Sequence, residues 1–98
     1  MKIEIKILSN IRAFHLKMNT DKNETYLNSC ALNVDANKLA TIILEIVKDW
    51  PMKSSKLRSI DGESYMVLIE NLGQTRKYEG KNNFPENYSN LIKLLETL

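Results

Sequence analysis

Residues 2–8, KIEIKIL, alternate polar and apolar: Ile3, Ile5 and Ile7 share one parity, and Lys2, Glu4 and Lys6 the other. A period of two predicts a half-buried strand. After a turn at 9–12 the alternation returns over 13–19. Phe14, Leu16 and Met18 are expected inward, His15 and Lys17 outward. A polar turn at 20–24 leads to a third predicted strand, 25–34, in which Tyr26, Cys30, Leu32 and Val34 share a parity. At Asp35 the period changes. Leu39, Ile42, Ile43, Ile46, Val47 and Trp50 recur at helical spacing, with Lys38, Thr41, Glu45 and Lys48 opposite. Asp35 is the expected N-cap, and Pro51 prevents the helix from continuing.

A polar connection, 52–63, ends at an Asp61-Gly62 turn. SYMVLIE, 64–70, reads as a strand. NLGQ, with Gly73 able to take positive φ, is the turn of a hairpin whose returning strand is 75–79. Tyr88, Leu91, Ile92, Leu95 and Leu98 then follow helical spacing. The predicted order is β-β-β-α-β-β-α. It implies a single α+β domain over 1–98, in two layers: an antiparallel sheet of about five strands with two helices. Its inner face takes the odd residues of the first strand, the even residues of the second, and Tyr65, Val67 and Ile69.

Ninety-eight residues, 43% of them apolar and 27% charged, suit one globular core. The net charge of +2 is too small for the basic stripe of a typical nucleic-acid domain. A single cysteine excludes an intrachain disulfide and fits a reducing compartment. No apolar run approaches the roughly 20 residues of a membrane span, and the N-terminus has no signal-peptide pattern. A cytoplasmic protein is expected. The abundance of Asn, Lys and Ile resembles low-GC bacterial or phage proteins.

Catalytic patterns are sparse. Cys30 is expected buried in a strand, where a thiol is inert, and on the face opposite His15, so the two do not form a dyad. One Cys and one His do not make a structural zinc site, and neither DKNE nor DGESYMVLIE has the alternating oxygens of a calcium loop. The three glycines are too scattered for a phosphate cradle. Asp61, Glu63 and Glu86 read as turn chemistry and solvated charge. An enzyme would need Asp61, Glu86 and His15 to meet in one pocket. No cofactor and no metal are expected.

The strand at 64–70 is apolar on both parities, Tyr65, Val67 and Ile69 one way and Met66 and Leu68 the other. Two-sided hydrophobicity requires cover on both faces. The helices pack on opposite faces, or the 51–60 connection folds over, or Met66 and Leu68 stay open and mark an interface. In YEGKNNFPENY, 78–88, Gly80 ends a strand, Asn82 and Asn83 suit turns, Pro85 suits a first helical turn, Asn87 or Ser89 can cap, and Phe84 and Tyr88 staple the loop to the core.

The segment 61–95 resembles the C-terminal pattern of small uncharacterised bacterial domains: an acidic turn, an aromatic-led strand, a Gly hairpin, then aromatic-x-Gly-x-Asn-x-aromatic-Pro-x-Asn before a helix. Tyr78, Gly80, Asn82, Phe84, Pro85 and Asn87 carry that match. The hairpin-Pro-helix layout is also similar to the emfourin group, small bacterial protein inhibitors of thermolysin-type metalloproteases. The N-terminal half departs from that group, with three strands before the first helix, and no inhibitory residue transfers. The expected function is a non-enzymatic protein-binding module of inhibitor, immunity or phage-antagonist type. Its partner, another protein or a second copy, would meet Met66, Leu68, Tyr78 and Phe84. The alternative is a nucleic-acid-associated protein using Lys53, Lys56, Arg58, Arg76, Lys77 and Lys81, with the aromatic Tyr78 among the last three.

Overall fold

The computed structural model describes residues 1–51, 53–55 and 62–98. The α+β class holds, with strands β1 (Lys2–Leu8), β2 (Ala13–Asn19), β3 (Glu24–Leu27), β4 (Cys30–Ala31), β5 (Lys53–Ser55), β6 (Ser64–Asn71) and β7 (Gln74–Lys81), and helices α1 (Ala36–Val47) and α2 (Tyr88–Thr97). The strands form one sheet in the order β4-β3-β2-β1-β6-β7-β5. Six pair antiparallel; β5 joins β7 in parallel. β1 lies between β2 and β6, so each of its isoleucines has an inward neighbour on both sides. Ile3 faces Met18 and Ile69, Ile5 faces Leu16 and Val67, and Ile7 faces Phe14 and Tyr65.

Both helices pack on this inner face. Ala36, Leu39, Ala40, Ile43 and Val47 of α1 and Tyr88, Leu91, Ile92 and Leu95 of α2 share one core with the inward residues of β1, β2, β6 and β7. Asp35 caps α1 as expected, accepting from the Asn37 and Lys38 amides at 3.0 and 3.2 Å. The Ala36 amide donates to Asn23 Oδ1 at 2.9 Å, which ties the helix start to the β2–β3 turn.

Among the described residues the sheet has seven strands where about five were expected: β5 lies within the expected polar connection, and β7 runs through Gly80, the expected strand end, to Lys81, which pairs with Ser55. Four further details differ from the sequence pattern. The segment 25–34 is not one strand. Asn28 and Ser29 have φ of 50° and 69° and make a two-residue turn between β3 and β4. Thr25 and Leu27 therefore face inward opposite Met18 and Leu16, while Tyr26 and Cys30 are exposed. Ile42 of α1 is also exposed, because Ala36 and Ala40 turn the buried stripe away from it. Pro85 precedes α2 rather than occupying its first turn, and its carbonyl accepts the Tyr88 amide. Asn87 stands at the N-cap position but makes no side-chain cap. It accepts from the Trp50 indole N–H and donates to the Ile46 carbonyl, each at 2.5 Å, stitching the end of α1 to the start of α2.

Candidate partner-binding surface

With both helices on one face, the even residues of β1 and β6 point to the other. Met66 stands between Lys6 and Glu79 in the register, and Leu68 between Glu4 and Lys77. Both are half-buried. Leu8 continues the same parity of β1 and is 62% exposed. Three apolar side chains thus lie on the outer face, rimmed by charge; of the 51–60 connection, the alternative cover for Met66 and Leu68, residues 52 and 56–60 lie outside the described residues.

That rim is internally paired. Lys77 Nζ is 3.6 Å from Glu79 Oε2. His15 Nε2 is 2.5 Å from Glu4 Oε2, across the β1–β2 diagonal. The hydrogen bond from His15 is the main cause that holds the Glu4 carboxyl below its ordinary range; burial opposes it. Beside Leu68 is a small groove of about 170 Å³, shared with Lys2, Glu4, Lys17 and Glu70.

The other two expected contact residues lie elsewhere. Tyr78 faces Val67 on the inner side and is 5% exposed, so it belongs to the core. Phe84 is 42% exposed but sits on the helix side, stacked on Tyr88 at 4.5 Å and 6.2 Å from Tyr65. The two anchor the loop after β7, as the aromatic spacing suggested. Of the basic set, Arg76, Lys77 and Lys81 lie on β7 and Lys53 falls in β5, while Lys56 and Arg58 lie outside the described residues.

The residues considered for chemistry are scattered. Cys30 is exposed on β4 and His15 is engaged by Glu4. Glu86 lines a different cavity, of about 490 Å³, with Asp49, Trp50 and Pro51. Asp61 lies outside the described residues. Among the described residues, no group of three or more His, Cys, Asp or Glu is placed to hold a metal, and no helix is long and apolar enough to cross a membrane.

One polar cluster was not legible in the sequence. At the top of the sheet Glu63 accepts the Tyr88 hydroxyl at 2.6 Å and Arg12 Nε at 2.8 Å, and Arg12 lies 3.8 Å from Glu96. It adjoins the aromatic group of Trp50, Tyr65, Phe84 and Tyr88. Burial, then the hydrogen bond to Glu63, pushes the Tyr88 phenol well above its usual range; burial alone raises Tyr65. These residues come from four separate parts of the chain, and no local spacing links them.

No protein-family model, curated protein or solved structure matches the chain.

Proposed function

We propose that this chain is a non-enzymatic protein-binding module, acting in the cytoplasm as an inhibitor, immunity or antagonist protein. Its contact surface is the outer face of the sheet around Met66 and Leu68. One observation carries the reading: these two residues occupy the middle of a central strand, where apolar side chains normally receive a second layer, yet both helices lie on the other face. The mixed charges around them, Glu4, Lys6, Lys77 and Glu79, supply a polar rim of the kind that surrounds an apolar interface core. The resemblance to inhibitor-type layouts is consistent with this class and names no target.

The test is capture from a lysate with wild-type bait beside a Met66→Lys/Leu68→Lys variant, both checked for fold by circular dichroism. A protein enriched by wild type and lost with the variant is the expected result. Identical capture by the two baits would sink the assignment of this face.

A further inference from the structure

The two edges of the sheet are finished differently. On the β4 side the chain's own groups take up the edges of β2 and β3, leaving only the two-residue β4 outermost. The Asn28 side chain accepts the His15 amide at 2.8 Å and donates to the Ala13 carbonyl at 3.2 Å, and the Leu32 amide donates to the Thr25 carbonyl at 2.8 Å. On the other side β5 pairs with Glu79 to Lys81 only. Among the described residues, Gln74 to Tyr78 has a neighbouring strand on the β6 side alone.

The turn decides which groups remain. Leu72 and Gly73, both at positive φ, form a two-residue loop closed by the pair Asn71 and Gln74. In the antiparallel ladder Gln74, Arg76 and Tyr78 then aim their amides and carbonyls at β6, and Thr75 and Lys77 aim theirs outward. Such a row is a template for another strand.

Leu72 marks this edge as more than unfinished. Its φ is 52° and it is 95% exposed. Left-handed backbone is costly for a leucine, asparagine suits the same turn, and exposure returns nothing for the strain. With Met1, Leu44, Ile69 and Arg76, it lines a cavity of about 300 Å³ on the helix side of the first half of β7. The strand is also basic, carrying Arg76, Lys77 and Lys81 against Glu79. Edge-to-edge pairing with a second copy would bring Arg76 and Lys77 close to their own counterparts, which like-charge repulsion opposes.

We propose that the free edge of β7 receives an extended acidic segment of a partner protein as an added strand. An apolar side chain of that segment seats against Leu44, Ile69 and Leu72 on the helix side, and its carboxylates, on the opposite face, lie beside Lys77. The inference rests on the protein-binding reading but uses a surface distinct from Met66 and Leu68.

The probe is a blocked peptide of about eight residues alternating aspartate and valine, long enough to span the free edge. Its counterpart alternates lysine and valine. Binding is followed by amide NMR and hydrogen exchange on the whole chain. The aspartate peptide should slow exchange at Thr75 and Lys77 by about tenfold or more, leave the already paired Arg76 and Tyr78 amides unchanged, and outcompete the lysine peptide. Thr75→Pro removes an outward N–H without touching the β6 ladder, so it should fold and weaken binding about tenfold or more. Leu72→Asn should raise Tm while weakening binding. Unchanged binding by Thr75→Pro, equal binding of the two peptides, or no protection at Thr75 and Lys77 would overturn the proposal. So would a dimer in light scattering that Thr75→Pro dissolves. The Met66→Lys/Leu68→Lys variant should still bind the peptide. If peptide binding fails while that variant abolishes partner capture, the edge proposal falls and the outer-face reading stands.

Discussion

Replacing Tyr88 by phenylalanine removes one oxygen atom and keeps the ring. That oxygen donates to Glu63 Oε2 at 2.6 Å, while the other carboxylate oxygen accepts Arg12 Nε at 2.8 Å. Tyr88 is 7% exposed, and its stack on Phe84 and approach to Tyr65 use ring carbons that the substitution retains. A hydrogen bond to a charged group contributes roughly 1.5–3 kcal/mol. Glu63 keeps Arg12, and its side chain is 12% exposed and so partly reachable by water; both place the loss in the lower half. The expected cost is about 1.5–2 kcal/mol, with a fall in Tm of roughly 6–16 °C for a chain of this length. Urea denaturation should show a lower midpoint at unchanged slope. The pH dependence adds a second reading. Because the folded state raises the Tyr88 pKa above 10.0, it holds a proton that the unfolded chain releases. The resulting stability is complete below pH 10 and is lost above it, by about 1.4 kcal/mol per unit. The gap between wild type and Tyr88→Phe should therefore narrow from pH 10 to 11. A loss under about 0.5 kcal/mol, or a gap that stays constant across that range, would refute the assigned bond.

Asn87→Ala leaves the Trp50 indole N–H and the Ile46 carbonyl without their partner; a loss of about 2–3 kcal/mol with a red shift of Trp50 fluorescence is expected, checked by denaturation followed at that tryptophan. Gly62→Ala puts a methyl group into the Asn82 side-chain amide, which accepts the Glu63 amide at 3.1 Å, so about 1–3 kcal/mol should be lost in thermal unfolding. Gly73→Ala, whose added carbon meets nothing within 4 Å, should cost only the strain of φ 77°, about 1–2 kcal/mol by the same measurement. Glu4, held below its ordinary 4.5 mainly by His15, contributes stability that is present above pH 4.5 and lost as pH falls through its folded value. Both groups are partly exposed, so the effect should stay under about 1 kcal/mol; an acid titration of stability should lose this component in His15→Ala.

How far the pattern of residues carried depends on whether its cause was local. The alternation in 2–8 and 13–19 placed every inward side chain of β1 and β2, because side chains on a strand must alternate whatever lies beyond it. Asp35, Pro51 and the Leu72–Gly73 turn were legible for the same reason: caps and tight turns are made by their own residues. Segment 25–34 departs from its apparent single strand because Asn28 and Ser29 accept left-handed backbone, and the two-residue turn they make breaks the parity of Tyr26 and Cys30. Pro85 and Asn87 are residue types that suit a helix start. They instead serve contacts with Tyr88, Trp50 and Ile46 that sequence distance hides.

For the candidate surface the division is similar. The two-sided strand at 64–70 was evident from Met66 and Leu68, but which face the helices would take was not. That depended on both helices crossing to the side of Ile3, Ile5 and Ile7, an outcome of burying two amphipathic stripes against one sheet. Tyr78 and Phe84 lie apart from Met66 and Leu68 on the same ground, since register and loop path put them on the helix side. The sequence by itself determined the two helices, the four long strands β1, β2, β6 and β7, the order of these elements and the α+β class, because periodicity, capping and turn chemistry act over a few residues. Tertiary structure alone decided the strand order, the Arg12–Glu63–Tyr88 cluster, the outer-face neighbours of Met66 and Leu68 and, among the described residues, the edge of β7 that no strand pairs, because each joins residues that only the completed sheet brings together.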